Sequence, residues 1–120
     1  MQELVKIPAP YRELLDQVFE IERKLSLIQE ENSIGRNINK IKAVFEGLLS
    51  TDAEPDTGFT YHDPIGEDYN ETRTDLEASI AGDSTENLVV TEVIKPILRY
   101  RKGNSSIIVR KGVVVVQSKQ

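Results

Sequence analysis

The only histidine of the 120-residue chain, His62, stands beside Asp63, the kind of pair that a Ser-His-Asp hydrolase sets next to an activated serine. No Gly-x-Ser-x-Gly elbow or similar nucleophile setting accompanies it, so the plain reading is an exposed loop histidine. Asp63, Glu67, Asp68, Glu71 and Asp75 offer enough carboxylate oxygens for calcium or magnesium. They lack the one-three-five spacing and closing glutamate of an EF-hand loop, and a solvated acidic loop is the favoured reading. Paired carboxylates could also serve glycoside hydrolysis, but a sugar cleft normally carries aromatic platforms, and the chain has no Trp. With no cysteine there is no disulfide, thiolate nucleophile or cysteine zinc site. Gly66, Gly103 and Gly112 are isolated turn glycines rather than a phosphate-binding loop. The expectation is a binding protein and not an enzyme, with no metal and no cofactor.

Charge is segregated along the chain. Residues 1–50 carry 7 bases and 8 acids, 51–87 carry 1 and 11, and 88–120 carry 7 and 1, within a net charge of −5. Arg99, Tyr100, Arg101 and Lys102, with Arg110 and Lys111 nearby, interleave basic and aromatic residues as a nucleic-acid surface does. A solvated strand face explains them as well. The acidic middle would repel polyanions, so a protein partner is favoured and nucleic acid is the lesser expectation.

These residues must be positioned by elements that the hydrophobic spacing announces. Tyr11, Leu14, Val18, Ile21, Leu25 and Ile28 recur at threes and fours, the seam of a coiled coil, after Pro8 and Pro10 and before the polar run 29–33. Ile34, Ile38, Ile41, Phe45 and Leu48 repeat the spacing and predict a second helix ending near Ser50. Leu15, Leu27, Val44 and Leu49 widen the stripes beyond what one helical hairpin can cover. That excess predicts a homodimer whose seam holds Leu14, Val18, Ile21, Leu25, Ile38, Ile41, Phe45 and Leu48, unless the β part folds back over the stripe.

Residues 51–87 read as an acidic linker and loop, with a short extended piece at Phe59–Tyr61 and a turn or two of helix within 71–81. From Leu88 onward the runs LVVTEVI, ILRYR, SIIVR and VVVV predict short strands, with a bend or edge at Pro96. The fold class expected is α+β: a helical hairpin over 1–50 forming a dimeric four-helix bundle, an acidic linker over 51–87, and a small all-β wing over 88–120 to which 57–70 add strands. The N-terminus lacks the basic and apolar regions of a signal peptide, and no run approaches the roughly 20 apolar residues of a membrane span. A cytoplasmic protein is expected.

Laid in this order, several stretches resemble the GrpE family, the nucleotide exchange factors of DnaK-type chaperones. The helices Glu13-Leu14-Leu15 to Leu25 and Gly35 to Leu49 look like that family's helix pair, and Gly66-Glu67-Asp68-Tyr69-Asn70 with Leu76-Glu77-Ala78 resembles its acidic turn and following segment. Glu92-Val93-Ile94-Lys95-Pro96 and Val109-Arg110 through Val116 resemble its wing strands and are the most specific part of the likeness, which runs from about residue 11 to 117. The chain departs from the family in having only ten residues where a long N-terminal stalk would stand. It also carries Leu76 in place of the family's histidine, Ile97-Leu98 in place of Gly-Tyr, and Ser106 or Ile107 near the family's arginine.

The resemblance implies a short, stalk-less co-chaperone: a dimer whose wing binds the chaperone's nucleotide-binding domain and favours ADP release. It further implies partner contacts at Gly35, Ile94, Ile107 and Val116, although Gly35 also fits a helix-start glycine and the other three fit a sheet core. The alternative is a dimeric scaffold or nucleic-acid adaptor that has lost the exchange activity.

Overall fold

The structure is a computed structural model that describes residues 7–28, 30 and 32–119. Helix α1 spans Ala9–Leu25 and α2 Ile34–Glu46. Pro8 and Pro10 start α1 where the missing amide donor costs nothing, and Arg23 and Lys24 close it against the negative end of its dipole. The polar run expected to end this helix lies partly outside the described residues, as does the first part of the N-terminus. The helices run antiparallel, with Glu22 Oε2 3.4 Å from Lys42 Nζ and Gly35 facing Leu25.

Seven strands follow: β1 Thr57–His62, β2 Asp68–Tyr69, β3 Leu76–Ala81, β4 Leu88–Lys95, β5 Ile97–Lys102, β6 Ser105–Arg110 and β7 Gly112–Ser118. They form a three-stranded sheet in the order β1-β5-β6 and a four-stranded sheet in the order β2-β4-β7-β3. All pairings are antiparallel except β3 with β7. The chain crosses between sheets at the buried Pro96, where the bend was expected, and returns at Gly112. Gly112 is more than a turn glycine, because a Cβ there would meet Ile97 Cγ1 and Leu76 Cδ2 at 2.9 Å.

A helical bundle carrying a small β wing is therefore not the architecture. Strands hold 37% of the described residues against 27% in helix, and the two sheets supply most of the core. The reason lies in residues 51–87. Leu76, Ala78 and Ile80 alternate along β3 and pair in register with Gly112, Val114 and Val116 of β7, so the segment expected to turn into helix becomes a parallel edge strand. One core cluster gathers Leu76, Leu88, Val90, Val93, Ile97, Val114 and Val116 around Phe19. The other gathers Ile7, Leu15, Phe45, Phe59 and Leu98 between the helices and the three-stranded sheet.

The helices thus pack Leu15, Phe19 and Phe45 on the sheets. In α1 the buried side chains are Leu15, Val18 and Phe19, and in α2 Ile38 and Phe45. The contact with β1 is close: the Leu49 amide donates to the Thr57 carbonyl at 2.9 Å, and a Cβ on Gly58 would lie 2.1 Å from the Phe45 carbonyl oxygen. The Cα radius of gyration is 16.1 Å and the thinnest extent 23 Å. A compact domain of this length would have a radius near about 14 Å, so the molecule is flattened and rich in surface.

Candidate interaction surfaces

Most of the residues singled out for chemistry are tied up in ion pairs and hydrogen bonds. Arg73, in the turn between β2 and β3, donates through Nε and Nη2 to the two oxygens of Asp75 at 2.9 and 2.8 Å, and through Nη1 to Glu67 at 3.1 Å. Glu67 in turn lies 2.5 Å from His62 Nε2 at the end of β1, and Arg99 of β5 approaches Asp75 at 3.8 Å. The hydrogen bonds from Arg73 hold the Asp75 carboxyl below its ordinary range and raise the Arg73 guanidinium further. Asp68 pairs with Lys119. His62 is exposed, and its carboxylate neighbour here is Glu67, while Asp63 accepts the Ile65 amide instead. The acidic loop is thus a bracket between the sheets, built by an arginine that sequence reasoning passed over.

The basic segment is also largely engaged. Lys102 reaches Glu54 at 2.7 Å, and Arg110 forks onto both oxygens of Asp16 in α1 at 2.8 Å while donating to the Pro96 carbonyl at 2.8 Å. Arg101 and Lys111 make no ion pair among the described residues.

Two further surfaces carry exposed aliphatic side chains, the first apolar and the second mixed with charged residues. The first lies on the helices, where the expected seam is divided. Val18, Ile38 and Phe45 are buried within the chain, Leu25 is partly buried against Gly35, and Leu14, Ile21, Ile41 and Leu48 remain exposed, joined by Ile28 and Ile34. The exposed set repeats every seven residues along each helix and just past its C-terminal end, where Ile28 and Leu48 stand.

The second surface follows the junction of α1 and β4. Phe19 forms its floor, and two depressions of 360 and 200 Å³ open on either side of it. Ile65 and Ile94, 52% and 51% exposed, border these depressions with Glu20, Glu22, Arg23 and Asp63. Arg23 fixes the junction by donating to the Val93 carbonyl at 2.9 Å and lying over the Phe19 ring at 5.4 Å. Tyr61 adds a second tie, its hydroxyl donating to Glu22 at 2.7 Å under the Lys42 ammonium. Burial and this carboxylate raise the Tyr61 hydroxyl above its ordinary value.

Of the four contact residues expected on the β part and bundle, Ile94 borders this junction, and Ile107 is 45% exposed on β6, away from it. Gly35 sits against Leu25, and Val116 is 0% exposed in the sheet core, out of reach of any partner. Ile65 and Phe19 were missed, although an isoleucine in the turn Asp63-Pro64-Ile65-Gly66 is a legible signal, because no core demand explains it there. Among the described residues no helix is long and apolar enough to cross a membrane. No family model, curated protein or solved structure matches the chain.

Proposed function

We propose that this chain is a protein-binding co-chaperone of the GrpE-like kind, which engages the nucleotide-binding domain of a DnaK-type chaperone and promotes ADP release. The observation that carries the reading is the pair of surfaces with exposed aliphatic side chains, the period-seven line at the helices and Ile65 with Ile94 at the α1–β4 junction. The ordered likeness of Glu92–Pro96 and Val109–Val116 to the family's wing selects the partner. Exchange needs no covalent chemistry. The factor has only to bind the open, nucleotide-free chaperone more tightly than the ADP-bound one, by the free energy by which it favours release.

In this reading a second copy covers the heptad stripe Leu14, Ile21, Ile28, Ile34, Ile41 and Leu48. At roughly 60–120 Å² of transferable apolar area per side chain, six that are about half-exposed offer on the order of 300 Å². That suffices for the apolar centre of an interface of about 800 Å² per partner. The junction with Ile65 and Ile94 is then left for the chaperone. A nucleic-acid role is disfavoured because Arg99, Lys102, Arg110 and Lys119 already face carboxylates.

The test is the release of a fluorescent ADP analogue from a DnaK-type chaperone. Saturating protein accelerates it, and an Ile94→Asp variant of unchanged fold does so less. An unchanged rate at saturation overturns the exchange reading.

A further inference from the structure

Four strands lie at sheet edges, and three of them are protected against pairing with a further chain. β2 has two residues, β1 is approached by the exit of α2 through the Leu49–Thr57 hydrogen bond, and β3 carries Glu77 between Asp75 and Asp83. Such short, covered or charged edges are the usual defences of a sheet. β6 has none of them. It runs six residues, Ser105–Arg110, with no proline and no acid, and pairs only with β5 among the described residues. Its centre is Ile107, Ile108 and Val109, and Ile107 is half-exposed. The arginine that ends the strand does not guard it, since Arg110 is turned inward onto Asp16 and the Pro96 carbonyl. Arg101 stands opposite Ser106 near one end of the strand and Lys111 follows the other, both exposed or partly so and neither ion-paired among the described residues.

We infer that the outer edge of β6 is a docking site for an extended acidic peptide segment of a partner protein, which adds to the three-stranded sheet as a fourth strand. Main-chain hydrogen bonds along the edge supply affinity, an apolar side chain meets Ile107, and carboxylates meet Arg101 and Lys111 at the two ends. Six residues of strand span about 20 Å, enough to hold a matching segment of about six residues. The inference does not depend on the exchange reading, because it uses a different surface from the α1–β4 junction.

The experiment uses the full chain and a fluorescein-labelled peptide Glu-Asp-Val-Thr-Val-Glu-Asp, followed by fluorescence anisotropy, with amide hydrogen exchange to locate it. Binding is expected to slow exchange within 105–110 and to leave 76–81 unchanged. N-methylation of alternate peptide amides is expected to weaken binding about tenfold or more, since it removes the edge hydrogen bonds. An R101E/K111E chain weakens it comparably, and the effect shrinks in high salt. Equal binding of the N-methylated peptide overturns strand addition without any variant having to fold. No binding, protection confined to 76–81, or self-association of the chain that itself protects 105–110 overturns the acidic-peptide assignment.

Discussion

Arg73 shows how a single residue can convert a run of acids from a candidate ion site into a structural bracket. It is 20% exposed at the side chain and satisfies Asp75 twice and Glu67 once. Because the folded Asp75 carboxyl is held below its ordinary value of 3.8, the unfolded chain binds the proton more readily. The stabilisation is therefore fully present above that value and fades as pH falls through the lower folded one. Asp75→Asn should destabilise the fold near neutral pH by about 1–3 kcal/mol, and its deficit against the parent should shrink in strong acid. Denaturant midpoints across the acid range measure both. Gly58 poses a different constraint, since a Cβ there collides with backbone of α2 rather than with a flexible side chain. Gly58→Ala should cost more than about 2 kcal/mol and shift the thermal midpoint accordingly, whereas Gly47→Ala, whose Cβ would meet only Ser50 Oγ at 3.5 Å, should change it little.

At the scale of elements, the helices have more apolar surface than one neighbour can cover. The sheets take Leu15, Phe19 and Phe45, Val18 and Ile38 are buried as well, and the period-seven line through Leu14, Ile21, Ile34 and Ile41 is left over. If a second copy covers that line, Ile21→Glu with Ile41→Glu converts the chain to a monomer in sedimentation equilibrium while its far-ultraviolet circular dichroism stays unchanged. α1 is also tied to β6 by the Arg110–Asp16 fork, whose side chains are 18% and 24% exposed. A double-mutant cycle on Asp16→Ala and Arg110→Ala should return a coupling of about 1–3 kcal/mol. Each single variant should cost more than half of that, because it leaves a poorly solvated charge behind.

Over the whole molecule the two clusters meet where Phe19 of α1 stands edge-on to Tyr61 of β1, ring centres 5.9 Å apart. Phe19 belongs to the four-stranded sheet's core, while Leu15, one helical turn earlier, belongs to the other. The helix therefore couples the two sheets, as do the crossings at Pro96 and Gly112. Phe19→Ala should cost about 3–5 kcal/mol, and should separate a single unfolding transition into two when circular dichroism at helical wavelengths is compared with Tyr61 fluorescence in a background lacking the other tyrosines.

What the residues determined alone was local. Helical spacing, the Pro8 and Pro10 start, the β-branched runs after Leu88, the bend at Pro96 and the charge segregation are all properties of neighbours in the chain, and each can be read without knowing what packs where. Tertiary structure decided what depends on distant partners. Pairing with β7 turned 76–81 from an expected helical turn into a strand. Tertiary packing divided the seam, burying Val18, Ile38 and Phe45 and leaving Leu14, Ile21, Ile41 and Leu48 outside. Sheet order put Val116 in the core and Ile94 at the surface, though both are aliphatic residues in β-rich runs. An amphipathic pattern states how much apolar surface an element must hide, but only the geometry of the other elements settles which part they hide and which is left for a partner.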